Sequence, residues 1–176
     1  LVLRAFASAS PQPAGEEVFL VTFFSKKVTS CFLLTSFNQA VMTDAETLIR
    51  AYYDAFNAED EAAFMALLTD DVIHDINQGE REIGKPAFAA FWARMSRCYK
   101  ETLTDITVLT EPTGTRAAAE FVVHGAYMAT DEGLPPASGQ TYKLPAGAFF
   151  SIRGGKVARV SNYYNLPDWI AQVSRP

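Results

Sequence analysis

The chain has 176 residues, 49% apolar and 20% charged, which fits one globular domain and excludes both wholesale disorder and a disulfide-built scaffold. The 15 Lys and Arg against 20 Asp and Glu leave a net charge of -5, and no basic run is present to release phosphate counterions. Nucleic acid is therefore not an expected partner. Cys31 and Cys98 lack CxxC spacing and a nearby His to complete a zinc set, so no metal site is expected. They read as reduced thiols of a cytoplasmic protein. The longest apolar run, Val18 to Phe24, is far short of the roughly 20 residues that cross a bilayer, and no membrane contact is expected.

Residues 1–41 hold no sustained period of 2 or 3.6. A Ser/Pro/Gly stretch from Ser8 to Gly15 and the pair Glu16-Glu17 interrupt short apolar bursts, which argues against a targeting signal. The expectation is a poorly ordered N-terminal extension, an over-long gene start, followed by a functional domain over 42–176. Met42 opens that domain, and Thr43 with Glu46 three residues later reads as a capping box.

From Asp44 to Asn57, the residues Ala45, Leu48, Ile49, Tyr52, Ala55 and Phe56 fall at i, i+3, i+4, i+7 spacing and predict a helix with one buried stripe. Phe64, Leu67 and Leu68 continue on a second, short helix, and Val72 to Asn77 alternates as a strand. Gly84-Lys85-Pro86 starts a third helix, with Pro in its first turn and a stripe of Phe88, Phe91, Trp92, Met95, Cys98 and Tyr99. The period then changes to two, predicting strands at 102–110, 116–130, 141–152 and 156–164. Arg153-Gly154-Gly155 is a hairpin turn, Asp131 to Gln140 a loop, and Asn165-Leu166-Pro167-Asp168 caps a terminal helix through Val173. Helices followed by mostly antiparallel strands make an α+β layer arrangement: a curved sheet with three helices laid across it, enclosing a cone-shaped pocket.

Four motifs in this order carry a family likeness. They are Phe56-Asn57-Ala58-Glu59-Asp60, Leu67-Leu68-Thr69-Asp70-Asp71-Val72, Gly84-Lys85-Pro86-Ala87-Phe88, and Gly155-Lys156-Val157 followed by Asn162-Tyr163-Tyr164-Asn165. With them, residues 44–173 resemble the nuclear-transport-factor-2-like (NTF2-like, cystatin-like) superfamily, which holds ketosteroid isomerases and SnoaL-like polyketide cyclases. The resemblance implies a carboxylate or imidazole base, an oxyanion donor and an apolar pocket, without a cofactor. Tyr52 falls on the position of the isomerase tyrosine. Asp75 takes the base position if the one-residue gap between Asp71 and Gly84 falls before it. If the gap falls after it, the register turns His74 inward instead.

The same resemblance places an acid on the strand leading into the Arg153-Gly154-Gly155 turn, where this chain has Gly147-Ala148. It places tyrosines where Leu68 and Trp92 stand, and a histidine where Gly125-Ala126-Tyr127 has Tyr127. Trp92, Tyr127, Asn162 and Tyr164 are the expected substrate-binding walls; Asn162 stands out because an amide on an apolar inward face needs a partner. Glu120 and His124 share one strand face and read as a surface pair. The implied activity is proton transfer next to a carbonyl on a small apolar, carbonyl-containing molecule, by a homodimer. The other reading left open is a non-catalytic binder of a small apolar ligand, or a dimerisation module, on the same fold.

Overall fold

A computed structural model describes residues 43–77, 79 and 81–174; the expectations for residues 1–41 and Met42 lie outside the described residues. Four helices and six strands follow in the order α1 (Asp44–Asn57), α2 (Glu61–Ala66), β1 (Leu68–Ile76), β2 (Arg81–Ile83), α3 (Lys85–Cys98), β3 (Tyr99–Thr110), β4 (Arg116–Tyr127), β5 (Gln140–Arg153), β6 (Lys156–Tyr164) and α4 (Leu166–Val173).

Each helix starts where its cap predicts. Thr43 Oγ1 accepts the Glu46 N–H at 3.1 Å, but the Glu46 carboxylate turns along α1 to Arg50 at 2.8 Å, so only half of the capping box forms. Asp60 and Asn165 cap α2 and α4 through the N–H groups of Ala63 and Asp168. Gly84 precedes α3 at φ 88°, a conformation that favours glycine, and Pro86 occupies the first turn. Asn57 explains the motif at the end of α1. Its amide donates to the Leu103 carbonyl at 3.0 Å and accepts the Leu103 N–H at 2.8 Å, pinning α1 to β3.

The six strands form one sheet in the order β2-β1-β6-β5-β4-β3. All neighbours are antiparallel except β1 and β6, which pair parallel. Register shifts in β1/β6, β3/β4 and β5/β6 bend the sheet, as bulges do, and the helices lie against its concave face. The buried core joins Leu48, Ile49 and Tyr52 of α1 to Phe64, Phe88 and Phe150. Burying a side chain such as Ile49 contributes about 1.5–3 kcal/mol.

The structure differs from expectation at element ends. β1 begins at Leu68, and β2, too short to show a period, pairs with it. β3 follows α3 without a break, starting at Tyr99 rather than residue 102, and β4 ends at Tyr127 rather than 130. No helix among the described residues is long and apolar enough to cross a membrane.

Candidate active site

The concave face of the sheet and helices α1–α3 enclose a cavity of about 220 Å³. Aromatic rings make most of its wall, including Tyr52, Phe88, Phe91 and Trp92, with Tyr164 from β6. Three polar pairs interrupt this wall: His74 with Asn162, Glu101 with Tyr142, and Arg94 with Asp131.

The alternation of β1 decides which of two adjacent titratable groups faces the cavity. His74 turns inward and is 1% exposed. Its ring stacks on Phe88 with centroids 4.3 Å apart and meets the edge of Phe91 at 4.5 Å. Nδ1 lies 3.3 Å from Glu82 Oε2, and Nε2 lies 3.2 Å from Asn162 Nδ2. An amide nitrogen only donates, so Nε2 is assigned the lone pair and Nδ1 the proton given to Glu82. Burial pushes the His74 pKa below its ordinary value, while the Glu82 hydrogen bond and charge oppose that shift. The imidazole is therefore neutral at neutral pH, its free pair covered by the Asn162 amide.

Asp75 turns to the opposite face, outside the cavity lining. Arg81 Nε donates to its Oδ1 at 2.7 Å; Arg159 Nε and Ser161 Oγ donate to its Oδ2 at 2.7 and 3.0 Å. Hydrogen bonding from Arg81, then from Arg159 and Ser161, outweighs desolvation and holds this carboxyl at about 2.

Tyr52 lines the cavity from α1, its ring against Phe64 and Phe150 at 4.4 and 5.4 Å. Its hydroxyl makes no hydrogen bond among the described residues, and burial pushes its pKa far above the ordinary value, which keeps the phenol a neutral donor. Trp92, Asn162 and Tyr164 also lie in the wall. Tyr127 does not. It is completely buried, stacks on Tyr99 at 5.3 Å and accepts the Asp131 N–H at 2.7 Å, which ties down the loop after β4.

Glu101 was not singled out by the sequence, because the predicted strand began one residue after it. Its spacing from buried Leu103 was the available signal: two residues apart in a strand, both face inward. Tyr142 donates to Glu101 Oε1 at 2.5 Å, and burial pushes the Glu101 pKa up while that hydrogen bond pulls it down. Among the described residues, no group of three or more His, Cys, Asp and Glu is arranged to hold a metal ion. His124 faces outward, Nε2 3.2 Å from Thr104 Oγ1.

Comparison with known proteins fits this geometry to a family. Residues 49–160 match the SnoaL-like domain. A candidate polyketide cyclase from Pseudomonas putida KT2440 is 65% identical, covering 76% of this chain and 100% of that one, with a TM-score of 0.73. A second, from Xanthomonas campestris pv. campestris, is 59% identical over 74% of this chain and 97% of that one, TM-score 0.72. An NTF2-like protein of Burkholderia xenovorans LB400, 14% identical over 75% of this chain and 96% of that one with a TM-score of 0.61, shares the fold alone. No curated protein matches the chain. On the domain match and these two close likenesses, the chain belongs to the SnoaL-like domain family.

Proposed function

We propose that the protein is a cofactor-independent acid/base enzyme that moves a proton next to the carbonyl of a small apolar substrate, with His74 as the base. One observation carries this reading: a fully buried, neutral imidazole lines an aromatic cavity with a carboxylate behind its far nitrogen. A general base needs a pKa near working pH and a partner for its charged form. Burial lowers the His74 pKa and so keeps the imidazole free to accept a proton, while Glu82 opposes that shift and stays in contact as Nε2 takes the proton. Asn162 then has to release that nitrogen; rotating its amide presents Oδ1 to the new N–H. Tyr52, a phenol without a competing partner among the described residues, is suited to donate to the oxygen that gains charge.

The volume narrows the substrate. An apolar cavity of about 150 Å³ holds benzene, and pockets for larger ligands start near 300 Å³. At about 220 Å³ the space holds one or two rings.

The test uses the full chain and a cyclic one-ring ketone in D2O, with exchange at the carbon beside the carbonyl followed by NMR. Wild-type protein is expected to catalyse exchange. His74→Gln lowers the rate on the order of 10²–10⁴-fold, with circular dichroism checking that the variant folds. Saturable ketone binding without any exchange would sink the enzyme reading and leave a binding module.

A further inference from the structure

We infer that Glu101 is the acid of this site: its Oε2 gives a proton to the substrate's carbonyl oxygen while His74 removes the proton from the neighbouring carbon. The inference rests on the proton-transfer reading above and adds the group on which the oxygen docks.

Three strands build this acid. Glu101 on β3 pairs in register with Gly125 on β4, which pairs with Tyr142 on β5. The side chains of all three positions fall on the inner face, and a middle residue with a side chain would separate the outer two. Gly125 has none. Tyr142 lies across the space this leaves, and a methyl group at Gly125 would overlap its ring and hydroxyl. The tyrosine thereby crosses a whole strand and donates to Glu101 Oε1 at 2.5 Å. One carboxylate oxygen is fixed by this bond; the other makes no hydrogen bond among the described residues. Glu101 lines the same cavity as His74.

The surroundings favour an uncharged carboxyl. The walls are mainly aromatic and aliphatic, and Arg94, the lining cation, is directed to Asp131, with its Nε 3.9 Å from that carboxylate. Burial raises the Glu101 pKa, and Tyr142 opposes the rise without an arginine or lysine adding to it. Asp75, held by two arginines, shows the contrary case.

The proton transfers balance. His74 Nε2 takes the proton, and the C–H electron pair becomes the second bond of a carbon–carbon double bond. The carbonyl π pair moves to oxygen, which takes the Glu101 proton and leaves a carboxylate accepting from Tyr142. Reversal returns the hydroxyl proton to Glu101, while the imidazolium delivers its proton to the same or a conjugated carbon. The substrate class is accordingly a one- or two-ring enolisable ketone whose oxygen accepts a hydrogen bond.

The test is infrared difference spectroscopy of the full chain with a carbonyl-labelled cyclic ketone, run beside the exchange assay. Wild type is expected to show a protonated carboxylic-acid band at neutral pH that Glu101→Gln removes. The bound ketone's carbonyl band moves to lower frequency in wild type and much less in Glu101→Gln. Exchange in that variant falls about 10²-fold. Gly125→Ala, which keeps the carboxyl but displaces Tyr142, weakens the ketone band shift. The inference is overturned if Glu101→Gln exchanges at the wild-type rate and leaves the ketone band in place. The base reading falls separately, if His74→Gln exchanges normally, whatever the ketone band does.

Discussion

His74 and Asp75 are neighbours on β1, yet the two faces of the strand treat them in opposite ways. The inward face strips water from His74, encloses it in aromatic rings and leaves one carboxylate and one amide as partners. The outward face gives Asp75 two guanidinium groups and a hydroxyl. A carboxylate held at about 2 has little affinity for a carbon-bound proton, whereas a neutral imidazole is matched to neutral pH. Surroundings, more than residue type, decide which of the two is equipped as a base.

The comparison is sharpened most by Glu82→Gln. It removes the charge that supports protonated His74 from behind, so exchange is expected to fall roughly tenfold, about 1.4 kcal/mol. Because Glu82 raises the His74 pKa, its loss moves the acid limb of the rate profile to lower pH. An unmoved limb would mean that Glu82 does not support the base.

Asp75→Asn is the complementary variant, expected to leave the exchange rate at neutral pH nearly unchanged. It moves the His74 limb to lower pH by less than Glu82→Gln does, because the Asp75 charge also raises that pKa. Losing the Asp75 carboxylate is expected to cost about 1 kcal/mol of stability at pH 7 in urea unfolding. The folded value lies below the ordinary 3.8, so the contribution is full above that pH and is lost as pH falls toward about 2. The variant's stability therefore declines less steeply over this interval. A loss of turnover with stability intact would reverse the roles of the two faces. The smallest effect is expected from salt. In 1 M NaCl the stability gap between wild type and Asp75→Asn narrows by a few tenths of a kcal/mol, since exposed ion pairs are screened. The His74 limb, set first by burial, shifts less.

Sequence periodicity identified α1 and α3 because each buries one continuous stripe, and local capping residues marked their starts. The inward orientation at β1 was not legible. A one-residue gap could be placed on either side of Asp75, and the groups that claim Asp75 include Arg159 and Ser161, which lie more than 80 positions further along the sequence. Tyr127 carried no local sign that its hydroxyl would be taken by the Asp131 backbone. The Glu101–Tyr142 pair was hidden for a related reason: it exists only once three strands are in register and Gly125 opens the way between them. Lining roles for Trp92, Asn162 and Tyr164 followed more directly, from one helix stripe and one strand face.

The parallel pairing of β1 with β6 also orders events during folding. His74 and Asn162 are 88 positions apart, and β6 is the last strand among the described residues. Contacts of such separation require closing a long loop before any stabilisation is returned, which slows folding. On the ribosome, α1 through β5 emerge while the inner edge of β1 still lacks its neighbour. The imidazole acquires its amide partner only when nearly the whole domain has been synthesised.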